Sequence, residues 1–169
     1  MRKELFEFRH IVKHIGGHAA LRDVSLRLYQ DEITFLVGRG SGRSVLSQMM
    51  MGELTPDSGT MLLLEKPYQP FSPEKAHERG IFCVTQNTKL IQNLSLNENI
   101  YIARPLSGIW HRGQADAFAQ MACQECGIQL DLSKKASHVK LIDTLMVYCL
   151  RAMLVRAQLL ILDNLLYLL

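Results

Sequence analysis

The sequence has little of three things: long apolar runs, excess charge and cysteine. No apolar run approaches the roughly 18 residues that cross a bilayer as a helix. The first residues, Met1 to Leu5, lack the apolar core of a secretory signal, so we expect a cytosolic chain whose 4 cysteines stay reduced. The 19 basic residues exceed the 16 acidic ones by only 3, which gives no support for a nucleic-acid partner. With 48% hydrophobic residues, the chain can bury the core of about one domain.

Cysteine and histidine patterns do not predict a metal centre. The C-x-x-C of Cys123 and Cys126 lacks the second pair that a zinc site needs, and we interpret it as two helix cysteines. His10, His14 and His18 have the spacing of ligands on one helix face, but two glycines interrupt any such helix, so a strand and a turn are expected there. No Ser/His/Asp or paired-carboxylate arrangement is recognisable.

Apolar runs and helical patterns alternate along the chain. This alternation predicts an α/β protein with a mainly parallel sheet. The predicted strands are residues 5–8, 21–28, 33–37, 61–64, 81–85 and 159–163, and the predicted helices are 44–51, a short one opening at 73–76, one within 94–102, and 112–126 and 143–157.

A predicted strand, a glycine-rich loop and a helix follow one another in a pattern that is typical of a phosphate-binding site. The β-branched, apolar run Ile33–Val37 predicts a strand buried on both faces, and the glycine-rich stretch Gly38–Ser44 follows at once. Glycines allow backbone N–H groups to point at a phosphate, and the following helix adds its positive end. Ser44 can ligate Mg²⁺ and Arg43 can neutralise phosphate charge. The alternative is an ordinary glycine turn between a strand and a helix.

The order of these motifs resembles the nucleotide-binding domain of ABC transporters, most of all the sugar-importer branch. The similarity is in register over nearly the whole chain. The carrying segments are 20–26, the loop at 38–44, 56–59 (Pro-Asp-Ser-Gly), 72–76, 80–81, 84–86 (Val-Thr-Gln), 94–100 and 159–163.

The resemblance implies a fold and a cofactor. It implies a P-loop NTPase-like α/β fold with an N-terminal antiparallel β piece, with residues 1–104 and 156–169 as the α/β core of a single truncated domain and 105–155 as a helical subdomain. ATP and Mg²⁺ are the implied cofactors. The implied cofactor-binding residues are Gly38, Arg39, Gly40, Ser41, Gly42, Arg43, Ser44 and Gln86, and the implied Mg²⁺ ligands are Ser44, Gln86 and Asp163.

The resemblance also implies partners. Residues 87–100 correspond to the stretch that receives a coupling helix of the membrane subunit in this family. A transmembrane permease subunit, an intact ABC ATPase subunit, or both are therefore the expected partners. Contact with the inner face of the cell membrane would come only through such a partner.

Four positions depart from the family's pattern. The loop is one residue short and carries Arg43 where the family has lysine, and a planar guanidinium does not replace an ammonium point charge. Ile15 stands where the family stacks an aromatic residue on adenine, and Asn164 where it has the catalytic glutamate, so no catalytic residue is assigned. The family's signature falls on Val139–Asp143, where Ile142 replaces a glycine that lets backbone approach phosphate.

The sequence ends at Leu169, whereas the family continues with a further strand of the same sheet. We therefore expect unpaired strand edges, relieved by rearrangement, by a strand from another chain, or by poor solubility. The apolar residues 165–169 add to this expectation.

Three functional interpretations stay open at this point. The leading one is a degenerate ATP-binding subunit related to carbohydrate import, with weak or absent ATP binding and little hydrolysis, acting as an interaction partner. The second is a working ATPase subunit that an intact partner completes. The third is a decaying gene fragment with no selected activity.

Overall fold

The computed structural model describes residues 2–37, 40, 42–85, 87–102 and 112–164. It divides the chain into two compact units, Met1–Ile81 and Phe82–Leu169. Among the described helices, none combines the length and the apolar character that crossing a bilayer requires.

The first unit is built on an antiparallel hairpin. Strands β1 (Glu4–Ile15) and β2 (His18–Tyr29) pair in antiparallel fashion, and the turn between them is Gly16–Gly17, with φ of 56° and 79°. The predicted turn and both strands are confirmed. The sequence pattern found only the beginning of β1, because irregular pairing after Phe8 and a positive φ at His10 break the apolar/polar alternation.

The sheet has the order β2-β1-β3-β4, with β3 at Ser58–Leu63 and β4 at Lys66–Pro67. The turn that precedes β3 is hydrogen-bonded to β1. In this turn, the Asp57 carboxylate accepts hydrogen bonds from the Lys13 Nζ at 2.8 Å and from the His14 backbone N–H at 2.7 Å. The predicted Pro-Asp-Ser-Gly turn therefore links β1 to β3 through the side chain of Asp57.

Helices α1 (Gly42–Met50) and α2 (Pro73–Glu78) complete the first unit. The Tyr68 hydroxyl donates to the carbonyl of Met50 at 2.5 Å, and the Tyr68 ring packs against Phe6 at 5.2 Å between centroids. These contacts fix the end of α1 to the core of the sheet. Both predicted helices are confirmed, and Gly52, with φ of 73°, ends α1 as its position predicts.

The predicted strand at Ile33–Val37 is wrong. The segment takes no strand conformation, and Ile33, Phe35 and Val37 are largely exposed rather than buried on both faces. A central strand needs hydrogen-bonding neighbours on both edges. Within the described residues, the ladders are β2-β1-β3-β4 and a second pair, and neither includes this segment.

The second unit holds that pair, β5 (Ile81–Thr85) with β6 (Leu159–Asp163), and three helices. The helices are α3 (Leu96–Tyr101), α4 (Arg112–Glu125) and α5 (Leu141–Leu154). Its core contains Leu96, Ile100, Val147 and Leu150, all almost completely buried. Each predicted strand and helix here is confirmed within a few residues. The boundaries predicted for the helical subdomain, 105–155, stay a prediction.

Candidate phosphate-binding site

The glycine-rich stretch leads directly into α1. Gly42 is the first helical residue, and a Cβ there would lie 3.2 Å from the Leu21 Cδ2 and 3.3 Å from the Ala20 carbonyl. Glycine thus lets the helix begin tightly against β2. Arg43 and Ser44 follow in the first turn, both half-buried. The N–H groups in the first turn of any helix have no acceptor within that helix, and a helix N-terminus favours an anion.

Gly40 adds the backbone geometry that the predicted loop requires. Its φ is 92°, a conformation that L side chains rarely adopt, and the residue is exposed. Gly38, Arg39 and Ser41 lie outside the described residues. The described half of the loop therefore has the glycine conformation and the helix start of a phosphate cradle, but its donor geometry as a whole stays a prediction.

Ile15 lies in the same unit, at the end of β1 next to the hairpin turn. Its side chain is 46% exposed, so it offers an accessible aliphatic surface. Such a surface can contact a flat base, but it lacks the π-system that stacking needs.

The remaining predicted ligands belong to the second unit. Asp163 is the last residue of β6 and is half-buried, and Gln86 lies outside the described residues. The hydroxyl of Ser44 and the carboxylate of Asp163 are oxygen donors of the type that Mg²⁺ prefers, so the donor chemistry fits this ion. Within the described residues, no three His, Cys, Asp or Glu side chains lie where they could share a metal ion.

Asn164 follows Asp163 and is exposed, with φ of 56°. Asparagine adopts this left-handed conformation more readily than glutamate does. The local backbone therefore suits the residue that is present. Its amide does not accept a proton from water as a carboxylate would.

The predicted signature stretch begins α5. The Lys140 backbone N–H donates to the Asp143 Oδ2 at 3.2 Å, so a carboxylate already covers this helix N-terminus. Ile142, in the first turn, is 44% exposed. A branched apolar side chain and a carboxylate both oppose the approach of a phosphate from this side.

A polar groove of about 640 Å³ borders the segment predicted to receive a membrane partner. Part of its wall comes from that segment, through Asn93, Ser95 and Glu98. The other lining residues include Gln120, Ser133 and Lys135, which sequence reasoning missed. No local pattern marks them, because backbone hydrogen bonds between segments far apart in the chain bring them to the groove, such as Leu96 N–H to the Lys134 carbonyl at 2.9 Å.

The histidines and cysteines that the sequence singled out have local partners. The His10 Nδ1 lies 2.7 Å from the Asp23 Oδ1, and the His14 Nδ1 lies 3.1 Å from the Asp57 Oδ2. These histidines lie on a strand, as expected. Cys123 lies in α4, but Cys126 is the residue just after it, so only one of the two is a helix cysteine. The Cys126 thiol lies 3.3 Å from the Met153 Sδ of α5, a contact that spacing does not reveal.

A glycine-rich turn before a helix, an antiparallel β piece and an apolar strand ending in aspartate define an α/β nucleotide-binding cassette of the P-loop class. Solved cassettes share this fold. A nucleotide-free ATP-binding cassette from an ABC transporter superposes with a TM-score of 0.78 over 95% of this chain and 68% of its own, at 20% identity. A cassette in its ADP conformation gives a TM-score of 0.76 over 93% of this chain and 67% of its own, at 20% identity.

The family model described as ABC transporter matches residues 21–166, and the chain belongs to this family. The autoinducer 2 import ATP-binding protein of Enterobacter sp. (strain 638) is 34% identical over 161 residues, which is 95% of this chain and 32% of that protein. A ribose import ATP-binding protein of Escherichia coli O157:H7 is 32% identical over 163 residues, again 95% and 32%. The chain thus spans about a third of the length of these curated relatives.

Proposed function

We propose that this protein is an ATP-binding subunit related to sugar importers, in which nucleotide binding is weak and hydrolysis is slow. The observation that carries the assignment to import is its similarity, over almost its full length, to proteins named for ribose and autoinducer 2 import. Residues 1–104 and 156–169 would act as the nucleotide-binding core and 105–155 as the helical subdomain.

Weak nucleotide binding rests on the chemistry of separate positions. Arg43 brings a bulky planar cation to a loop that is one residue short, and Ile15 gives adenine no aromatic ring. At the start of α5, Asp143 already occupies the positive helix end. Each of these lowers the affinity for a triphosphate by an independent physical route.

Slow hydrolysis rests on Asn164. Loss of a general base typically costs a factor of about 10²–10⁴ in rate. When bound, Mg²⁺ would supply charge neutralisation at the phosphates, with Ser44 and Asp163 as its oxygen donors from this chain. Without a base, that complex would persist instead of turning over.

The polar groove beside residues 87–100 supports a role in binding a partner. The capping box of α3 holds Ser95 and Glu98, two residues that line the groove, against each other. We assign a transmembrane permease subunit to this groove, and with it a place at the cytoplasmic face of the membrane.

One feature favours the second candidate, a working subunit completed by an intact ABC ATPase. Ser44 and Asp163 are retained, and α1 begins at Gly42 as a phosphate site requires. In a paired assembly, the partner would contribute the groups that this chain lacks.

Titration of the full chain with a fluorescent ATP analogue and Mg²⁺, followed by a phosphate-release assay, tests the proposal. Wild type should show weak or no saturable binding and release at the level of a blank. Arg43→Lys should tighten binding, because an ammonium fits within a phosphate loop. Asn164→Glu should raise phosphate release above the blank level when it is combined with Arg43→Lys, because the restored base acts only on nucleotide that is bound.

Lys66→Arg serves as the control, since it makes a comparable exchange on an exposed strand away from the loop. Tight binding with turnover by wild type alone would refute weak binding and slow hydrolysis. Turnover that appears only after an intact ABC ATPase is added would establish the second candidate.

A further inference from the structure

Two sulfur atoms meet where the chain leaves α4 and passes beside α5. The Cys126 thiol donates toward the Met153 Sδ at 3.3 Å, which is short enough for one ion to contact both atoms. Cys126 is half-buried and Met153 is 56% exposed, so the pair lies at the surface of the second unit. A small ion can therefore reach both sulfur atoms from solvent.

Cys149 adds a second thiol to this pair. It lies four residues before Met153 on α5, so the two residues share one helix face, one turn apart. Helical side chains lean toward the N-terminus, and the Met153 side chain therefore extends over the turn that carries Cys149. Burial raises the pKa of the Cys149 thiol, and the nearby Cys126 thiol raises it further. Two thiolates that oppose each other's ionisation are stabilised by a cation bound between them.

The backbone that carries Cys126 is held in place by hydrogen bonds. The Cys126 N–H donates to the Ala122 carbonyl at 3.2 Å, and the Ile128 N–H donates to the Cys123 carbonyl at 2.9 Å. Gly127, with φ of 62°, turns the chain between them. Cys123 itself is only 7% exposed and packs in the apolar core of the unit. The thiol of Cys126, rather than that of Cys123, is thus the one presented to Met153.

We propose that Cys126, Cys149 and Met153 bind one Cu(I) ion through two thiolates and a thioether. Soft thiolate and thioether ligands select Cu(I), whereas a structural zinc site needs four ligands. Among the described residues, no three His, Cys, Asp or Glu side chains can share a metal ion, and here the third ligand is a thioether. Each thiol gives its proton to solvent on binding, so two protons leave and the oxidation state of the metal stays the same.

Competition with a chromophoric Cu(I) chelator tests the proposal. The full chain is titrated anaerobically, with a non-thiol reductant and without nucleotide, and wild type should withdraw one Cu(I) per chain from the chelator. Cys126→Ala and Cys149→Ala should abolish this withdrawal. Met153→Leu keeps the side-chain size but removes the sulfur. It should weaken binding by about tenfold or more, since changes just outside a ligand set already cost about 10–100-fold.

Two matched variants serve as controls, and both should bind as wild type does. Cys83→Ala removes a thiol from β5, and Met121→Leu removes an exposed thioether from α4. Circular dichroism melts equal to wild type without metal show that each variant folds.

X-ray absorption at the copper edge measures the ligand set directly. It should show three sulfur neighbours in wild type and two in Met153→Leu. The proposal is overturned by a wild type that leaves all Cu(I) with the chelator, by ligand variants that bind as wild type does, or by an equal loss of binding in Cys83→Ala.

Discussion

Arg151 on α5 and Asn99 on α3 are joined by two hydrogen bonds. The Arg151 Nε donates to the Asn99 backbone carbonyl at 2.7 Å, and its Nη2 donates to the Asn99 Oδ1 at 3.1 Å. Asn99 is completely buried, and its amide donates to the Ile91 carbonyl at 3.1 Å. Burial lowers the pKa of Arg151, while its guanidinium also lies 5.1 Å from the centroid of the Tyr148 ring. This pair connects α3, which lies in the segment predicted to receive a membrane partner, to α5.

Replacing Arg151 with methionine should destabilise the second unit. The change keeps much of the side-chain volume but leaves the buried Asn99 acceptors without their charged donor. Hydrogen bonds to charged groups contribute about 1.5–3 kcal/mol, and a loss of this size is expected. Hydrogen exchange of peptides from α3 and α5 under native conditions measures it. Arg156→Met is the control, because Arg156 is exposed just beyond α5; equal protection in both variants would contradict this role for Arg151.

Ser95 should be needed for α3. Its Oγ accepts from the Glu98 backbone N–H at 3.1 Å, and the Glu98 Oε2 accepts from the Ser95 backbone N–H at 2.8 Å, which forms a capping box. Ser95→Ala should cost about 1 kcal/mol in the free energy of unfolding, measured by urea denaturation. Ser95→Thr should retain most of it.

Ser137→Ala is the control for this helix cap, since Ser137 is exposed in the short 3-10 helix Ala136–His138. A destabilisation as large in Ser137→Ala as in Ser95→Ala would show that the effect does not come from the cap.

Protonation of the Asp57 carboxylate should make the first unit less stable in acid. Hydrogen bonds from Lys13 and His14 lower the pKa of the Asp57 carboxyl from 3.8 to about 2. Because the folded-state pKa lies below the unfolded one, the stabilisation is present above pH 3.8 and is lost as the pH falls to about 2. Asp57→Asn should be less stable than wild type at neutral pH, with the difference shrinking across this window.

Thermal unfolding followed by circular dichroism from neutral pH down to pH 2 measures the dependence. Asp31→Asn is the control, because Asp31 is exposed and its left-handed backbone also accepts asparagine. A difference between Asp57→Asn and wild type that stays constant with pH would contradict the assignment.

Glu65→Gly should stabilise the β3–β4 hairpin. Leu63 pairs with Lys66, so Leu64 and Glu65 form a two-residue turn, with φ of 50° and 63°. Glycine occupies this left-handed region without the cost of a Cβ, roughly 1 kcal/mol for other residues. The midpoint of urea unfolding should therefore rise.

Glu53→Gly is the matched control for this turn, since Glu53 is exposed and has no positive φ. It should be neutral or destabilising, because glycine adds freedom to the unfolded chain. A lower midpoint for Glu65→Gly would show that the turn does not need this conformation.

Local patterns were enough for most elements. Gly16–Gly17 predicted a turn because only glycine takes such backbone angles cheaply, and Pro73 in the first turn predicted the start of α2. Ile81–Thr85 read as a strand because its apolar run is short and β-branched. Each of these signals lies within a few residues of the structure that it specifies. The same kind of signal identified Gly40 and Gly42 at the candidate phosphate site.

The prediction of a strand at Ile33–Val37 was wrong because it depended on residues far away in the chain and not on a local signal. Its composition favours a buried strand, but burial depends on neighbouring strands, which no local pattern contains. The groove lined by Ser95 and Lys135, and the contact between Cys126 and Met153, were missed for the same reason.

By itself, the sequence determined the glycine-led start of α1, most of the strands and helices, and the residue types that stand at the phosphate and base positions, because covalent neighbours set backbone propensity and side-chain chemistry. Only the tertiary structure decided which distant residues meet. It brought Arg151 to Asn99, formed the polar groove, and left Phe35 exposed, because hydrogen bonds and packing between segments far apart in the chain are made only when the chain folds.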